Sequence, residues 1–239
     1  MTKKMAGMDE LFKGRHYERE VIVLCVRWYL RFKLSLRDLA EMMAERGLTL
    51  AHTTIMRWVQ RLVPEFEKRW NRLARKAGRS WRVDETYVKI RGQWAYLYRA
   101  VDPEGKTVDF RLSANRDVRA AKAFFRKALN TQGRAPVSIS LDGYAASHRA
   151  VRELAQKDRR CKDVRLRSSK YLNNRIESDH RNVKAPLGPM LGLKVFANAA
   201  ITIAGIELMH RIRKGQFNLG RFGLQGQAAP AIWNAVLSA

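Results

Sequence analysis

Residues 80 to 90, SWRVDETYVKI, mark the point where the period of the chain changes, and their reading decides the fold. Side chains alternate with a period of two, and β-branched and aromatic residues dominate, as on a strand. Asp84 is out of place among these strand formers, where an acid is unfavourable and asks for a reason. Working outward, Gln93 to Val101 alternates again after an Arg-Gly turn, and Thr107 to Ala114 makes a third strand after Asp102-Pro103-Glu104-Gly105. That sequence of strands and turns predicts an antiparallel meander. Pro136 to Leu141, PVSISL, is a short apolar strand of the kind buried mid-sheet, and it runs directly into Asp142-Gly143. Helices are predicted over Asp117 to Thr131, Ser147 to Lys157, a stretch around Glu177 and Val195 to Lys214, with a fifth strand over Val164 to Arg167. The final helix is apolar on most sides, which fits core or an interface between copies.

Upstream the period is helical. Residues 17 to 33 carry Val21, Leu24, Cys25, Trp28 and Phe32 on one broad stripe. Ser35 with Asp38 three residues on predicts a capping box for a second helix that ends at Gly47. A third, about Thr53 to Lys68, turns Ile55, Val59, Leu62 and Phe66 inward, and Pro64 is expected to kink or shorten it. Two helices joined by a tight turn, the second with a polar and basic face, match a helix-turn-helix, although an ordinary three-helix bundle has the same pattern. The exposed face would be Thr53, Thr54, Arg57, Gln60 and Arg61, side chains that can address base edges or phosphates.

The charge agrees with a nucleic-acid partner. Of the 239 residues, 47 are Lys or Arg and 22 are Asp or Glu, a net charge of +25. Residues 1 to 78 hold 17 basic and 9 acidic side chains, and residues 79 to 239 hold 30 and 13, so both parts are cationic. An excess spread along the chain suits a polyanion contacted over a long track. No apolar run approaches the ~20 residues that span a bilayer, which argues against a membrane partner. The N-terminal stretch has no apolar segment of the signal-peptide kind. Cys25 and Cys161 form no C-x-x-C pair and the five histidines lack metal-ligand spacing, as expected of a reducing cytoplasm.

Three carboxylates stand out by position. If the first and fourth strands are neighbours, Asp84 and Asp142 project together at one edge, and a helix packed over that edge can bring Glu177 onto them. Glu85 would point to the other sheet face, in a structural role. Clustered carboxylates raise one another's pKa, and a hard divalent cation resolves the repulsion. Two such ions, about 3.5 to 4 Å apart, can activate a hydroxyl and stabilise a leaving oxygen at phosphorus. Asp84 would be shared, with Asp142 on one ion, Glu177 on the other, and Lys184 holding a phosphate nearby. In NNRIESDHRNVK, residues 173 to 184, Glu177, His180, Arg181 and Lys184 fall at i, i+3, i+4 and i+7, one helical face.

VDETYVKI followed by GQWAYLYRAVD, then SLDGY, then NNRIESDHRNVK, resembles the DDE transposases of the bacterial insertion-sequence six family. FKGRHYEREVIVLCVRWYLRF, TTIMRWVQR and LGLKVFANAAITIAGIELMHRIRKGQ extend the similarity to roughly residues 12 to 216. The resemblance implies an α/β fold: a ribonuclease H-like catalytic core, a mixed five-stranded sheet flanked by helices, preceded by an all-α helix-turn-helix domain. The expected division is a DNA-binding domain and linker over 1 to 78, a catalytic domain over 79 to 214, and an unassigned tail over 215 to 239. The resemblance further implies catalytic, metal-binding Asp84, Asp142 and Glu177, with two Mg²⁺ ions or Mn²⁺ in their place. It gives His180, Arg181 and Lys184 a DNA-contact role. The implied partners are double-stranded DNA, as terminal inverted repeats and target, and further copies of the chain in a homodimer or higher oligomer. The implied setting is a bacterial nucleoid, and the implied activity is replicative transposition through cointegrates. Leu141 and Gly143 depart from the Thr and Lys that flank the second aspartate in many members, and Ala51 stands where a polar cap often begins the recognition helix. The competing reading is a non-catalytic helix-turn-helix regulator or a decayed transposase, and a plain nuclease would carry the same triad.

Overall fold

The structure, a computed structural model, describes residues 8–168, 174–190, 193–223 and 227–238. The chain divides into two compact units, one of residues 1–74, 186–191 and 197–239, the other of residues 75–185 and 192–196.

The first unit begins with a short helix α1 (Met8–Phe12), followed by α2 (Arg19–Arg31), α3 (Leu36–Ala44) and α4 (His52–Asn71). The predicted capping box is present: Asp38 N–H donates to Ser35 Oγ at 3.1 Å and Ser35 N–H donates to Asp38 Oδ2 at 2.8 Å. Gly47, at φ 73°, turns the chain out of α3 while Leu48 N–H closes back on Met43 O at 3.0 Å, so the left-handed position falls on the residue without a Cβ. Helix α4 starts at Ala51 with no side-chain cap. Ile55, Val59, Leu62 and Phe66 are buried as expected, joined by Trp58, Val63 and Trp70. Pro64 neither ends nor shortens this helix; it is exposed, and the buried residues on either side hold the helix to its neighbours.

Two later helices, α8 (Phe196–Arg213) and α9 (Ala229–Ser238), complete this unit. Trp233 of α9 sets its ring edge-on to Phe66 at 5.1 Å and tilted to Trp70 at 5.3 Å, and Phe217 packs edge-on to Trp70 at 4.9 Å. Asn218 N–H donates to Leu73 O at 2.7 Å. Residues 197 to 214 cluster with the N-terminal helices, and α9 of the C-terminal stretch packs Trp233 against Phe66 and Trp70. The cause is the apolar surface all round α8, where Ala199, Ile203, Ile206, Leu208 and Met209 are buried.

The second unit is built on a five-stranded sheet of β1 (Ser80–Ile90), β2 (Gln93–Val101), β3 (Thr107–Ser113), β4 (Ser138–Leu141) and β5 (Arg165–Ser168), in the order β3-β2-β1-β4-β5. The first three form the expected antiparallel meander, and β4 and β5 add to it in parallel. Arg91 and Gly92, both at positive φ, form the two-residue turn between β1 and β2. Asp102 makes the next turn: its Oδ1 accepts from the N–H groups of Glu104 and Lys106 at 3.0 and 2.8 Å, and its Oδ2 from Gly78 N–H at 2.8 Å. Helices α5 (Val118–Gln132) and α6 (Ala145–Lys157) pack Phe124, Phe125, Leu129, Val151 and Leu154 with Trp81, Val83, Tyr98, Ile139 and Leu141 of the sheet. Helix α7 (Asn174–Leu187) carries the acidic and basic residues of the 173 to 184 stretch, of which Asn173 lies outside the described residues. This mixed sheet flanked by helices is the ribonuclease H-like arrangement that the resemblance implies. Among the described residues no helix is long and apolar enough to cross a membrane.

Candidate active site

The alternation of β1 sends Trp81, Val83 and Glu85 toward the core under α5 and α6, and Asp84 to the opposite sheet face. The parallel pairing of β1 with β4 matches Ser80 to Ser138 and Arg82 to Ser140, and carried on by two residues it sets Asp142 beside Asp84. Carboxylate oxygens of Asp84, Glu85 and Asp142 all lie within 4.8 Å of one another. The expected convergence of Asp84 and Asp142 is thus present, and Glu85 joins it.

Glu85 is anchored from its own side of the sheet. Ser147 Oγ donates to its Oε1 at 2.6 Å, and Arg116 Nη2 donates to its Oε2 at 3.2 Å. Burial pushes its carboxyl above the usual range, with the Asp142 charge adding to the rise, while Ser147 and Arg116 pull the other way. Arg116 also lies 3.9 Å from Asp142 Oδ2. Asp142 is braced by its own loop, accepting from Tyr144 N–H at 3.1 Å, and its carbonyl oxygen lies 2.7 Å from His148 Nε2.

Helix α7 approaches the Asp84 face with Ile176, Asp179, His180 and Val183 buried, at i, i+3, i+4 and i+7. Asp179 pairs with the buried Arg99 of β2 at 2.7 Å. His180 sets Nε2 3.3 Å from Asp84 Oδ2 and Nδ1 3.5 Å from Arg99 Nη1. His180, expected to contact DNA, is 6% exposed and turned toward the sheet. It sits at the margin of the polar arc, where one step around the helix leads into the buried stripe. Glu177, Arg181 and Lys184 remain together on the exposed face, and Glu177 stands outside the three-carboxylate cluster.

In the first unit, Thr53, Arg57 and Arg61 are exposed along one side of α4, and Thr54 is half-buried. Gln60 turns the other way: its Nε2 donates to Asn198 O at 3.3 Å and Thr202 Oγ1 at 3.4 Å. The side chain expected to read bases thus makes a contact with α8. Sequence reasoning also missed Arg99, Arg116 and Asp179. Arg99 could have been found from the antiparallel register, because it lies directly opposite Asp84.

The family profile described as "DDE domain" (DDE_Tnp_IS240) matches residues 78–216. The transposase for insertion sequence-like element IS431mec of Staphylococcus aureus is 36% identical over 203 residues, 85% of this chain and 88% of that protein. The chain belongs to the insertion-sequence six family of DDE transposases. The transposase for insertion sequence element IS257 in transposon Tn4003, also of Staphylococcus aureus, is similar to the same extent. Similar solved structures include the HTLV-2 integrase catalytic core domain in complex with magnesium, at 16% identity and TM-score 0.42, covering 55% of this chain and 84% of that one. The catalytic core domain of BIV integrase, at 16% identity and TM-score 0.42, covers 66% and 95%. A transposase of this family is a metal-dependent polynucleotidyl transferase. The donor set fits that chemistry, since three carboxylates offer the hard oxygens that Mg²⁺ or Mn²⁺ takes, with no thiolate or imidazole nitrogen among them.

Proposed function

We propose that Asp84, Asp142 and Glu177 are the catalytic carboxylates, that they hold two Mg²⁺ ions, and that the protein cuts and joins DNA at the ends of its element. The observation that carries this reading is the convergence of Asp84 and Asp142 from adjacent parallel strands. Helix α7 meets the Asp84 face of the sheet through Arg99 and His180, which supports Glu177 as the third ligand. Bound divalent ions would supply an activated hydroxyl and charge stabilisation at phosphorus. The rest is done by side chains of this chain. Arg181 and Lys184, exposed beside Glu177, hold the phosphates of the strand being cut. Thr53, Thr54, Arg57 and Arg61 recognise the terminal inverted repeats. Exposed 3′-hydroxyls are then joined to target phosphodiesters, giving replicative transposition through cointegrates. Two ends must be brought together, so the working form is a homodimer or a higher oligomer, acting at the bacterial nucleoid.

The test is strand transfer with Mg²⁺ on a labelled duplex carrying the element's terminal sequence, comparing the intact protein with Glu177→Gln. Joined product that vanishes in the variant while DNA binding persists supports the reading. Metal-independent binding by both proteins without any joined product supports a non-catalytic regulator.

A further inference from the structure

Alternate residues of β1 share a sheet face, so Tyr87 and Lys89 continue the face that carries Trp81, Val83 and Glu85. Past Glu85 burial gives way, and both side chains are exposed. Directly across on β2 stand Tyr96, opposite Tyr87, and Trp94, opposite Lys89. Three aromatic rings therefore lie side by side: Tyr87 is edge-on to Tyr96 at 5.5 Å and to Trp94 at 6.1 Å. Trp94 is 59% exposed and Tyr87 43%, whereas Tyr96 is half-buried and packs on the core of the sheet, which anchors the group. A lone aromatic in water needs no explanation, but a contiguous group marks a surface for contact.

Two cations belong to this group. Lys89 Nζ lies 5.6 Å from the centroid of Trp94, and Arg116 Nη1 donates to Tyr87 Oη at 3.2 Å. Arg116 also holds Glu85, so the rings begin one guanidinium away from the acidic cluster. Along the strand, Tyr87 is two residues from Glu85, about 7 Å. Rings interleaved with cations suit a nucleic-acid strand, whose bases stack on the rings while its phosphates meet the charges. Inside a duplex the bases stack on one another and offer only their edges in the grooves, so these rings would find no face to stack on. A second copy of this chain, at a net charge of +25, would bring like charge to the patch, whereas a polyanion is drawn to it.

We propose that Tyr87, Trp94 and Tyr96 form a stacking platform for unpaired bases of the DNA strand that lies at the acidic cluster, with Lys89 on a neighbouring phosphate. The inference rests on the reading of that cluster as the place where DNA is cut, and it specifies the substrate there: a strand whose bases have turned out of the helix.

The experiment is fluorescence anisotropy of the full chain at one fixed salt concentration, with three labelled probes. These are a short oligothymidine strand, the same strand with abasic sugars in place of the thymidines, and a blunt duplex. The proteins compared are the wild type, Tyr87→Ala, Trp94→Ala and Trp94→Phe; both positions are exposed, so the fold does not depend on them. Each alanine variant should bind oligothymidine about 5- to 100-fold more weakly, the range for losing one stacked base. Trp94→Phe should retain most of the affinity, and the abasic strand should be bound equally by all four proteins, because it has phosphates but nothing to stack. Unchanged oligothymidine binding in both alanine variants overturns the platform, as does an equal loss on the abasic strand, which would make the effect one of charge. Duplex binding by the wild type without binding of oligothymidine also overturns the platform and leaves the DNA reading standing. A smaller species of Trp94→Ala on sedimentation would make the patch a contact between copies and overturn the platform. Binding of none of the three probes by the wild type overturns the DNA reading and the platform with it.

Discussion

The Arg116 guanidinium lies over the ring of Tyr144, 3.8 Å from its centroid, while the Tyr144 hydroxyl donates to the Arg116 carbonyl oxygen at 2.6 Å. The two residues brace each other and aim one cation at Glu85 and Asp142. Removing that cation leaves a buried carboxylate without its charged donor. Arg116→Ala should therefore destabilise the metal-free protein by about 1 to 3 kcal/mol. Saturating Mg²⁺ should recover part of the loss, because it supplies positive charge to the same cluster. Urea unfolding with and without Mg²⁺ checks both statements, and an equal loss under the two conditions would separate Arg116 from the cluster.

Gly205 of α8 faces Leu30 and Val63 so closely that an added Cβ would come within 2.7 Å of both Leu30 methyl carbons and 3.1 Å of Val63 Cγ2. Leu30 is itself buried and has little room to move away. Gly205→Ala should lower stability by about 1 to 3 kcal/mol, the cost of overpacking, despite the better helix propensity of alanine. The shift of the urea midpoint measures it. Adding Leu30→Ala should make the Gly205→Ala step less costly than it is alone.

Cys25 is fully enclosed, and burial pushes its thiol up to about 11. Cys161 is raised by the same cause. The thiolate is the reactive form, so at about pH 8 neither cysteine should be alkylated in the folded protein at the rate of a free thiol. Mass spectrometry after a timed iodoacetamide pulse should find both unmodified, and both modified once urea is added. Rapid labelling of Cys25 without denaturant would mean that α2 opens readily.

Arg57 and Arg61 project from α4 into solvent, whereas Gln60 reaches back to α8. Replacing either arginine with alanine should weaken binding to the element's ends and reduce the salt slope by about one for each phosphate no longer neutralised. Gln60→Ala should leave the salt slope unchanged and act on stability instead. Fluorescence anisotropy over a range of salt concentrations distinguishes the two outcomes. An unchanged slope in the double arginine variant would remove α4 from the DNA interface.

The features legible in the chain were local ones. The alternation of SWRVDETYVKI, the Ser35–Asp38 box and the acid placed just after an apolar strand are all set by near neighbours, and each recurs in the structure. What escaped depends on reach or on distant packing. Strand alternation assigns Glu85 to a face correctly, but it does not say how far a carboxylate near the strand end extends toward Asp84. A helical wheel groups His180 with Glu177, but whether the margin of that arc is buried depends on the sheet beneath it. The partnership of Arg99 with Asp179 joins residues 80 positions apart, and no local period encodes it. The assignment of α8 and α9 to the first unit escaped for the same reason: their partners lie far back along the chain.

The order of synthesis bears on that first unit. Trp233, which fills the space against Phe66 and Trp70, leaves the ribosome only after every strand of the sheet has done so. The helices that precede the sheet emerge first and must wait, with an apolar face uncovered, through the translation of the whole second unit. A message cut short after the sheet would yield a chain with its acidic cluster encoded and its first core still open. A chain that stops short of α9 lacks Trp233, so the Phe66 and Trp70 rings lose the cover that this late side chain gives them.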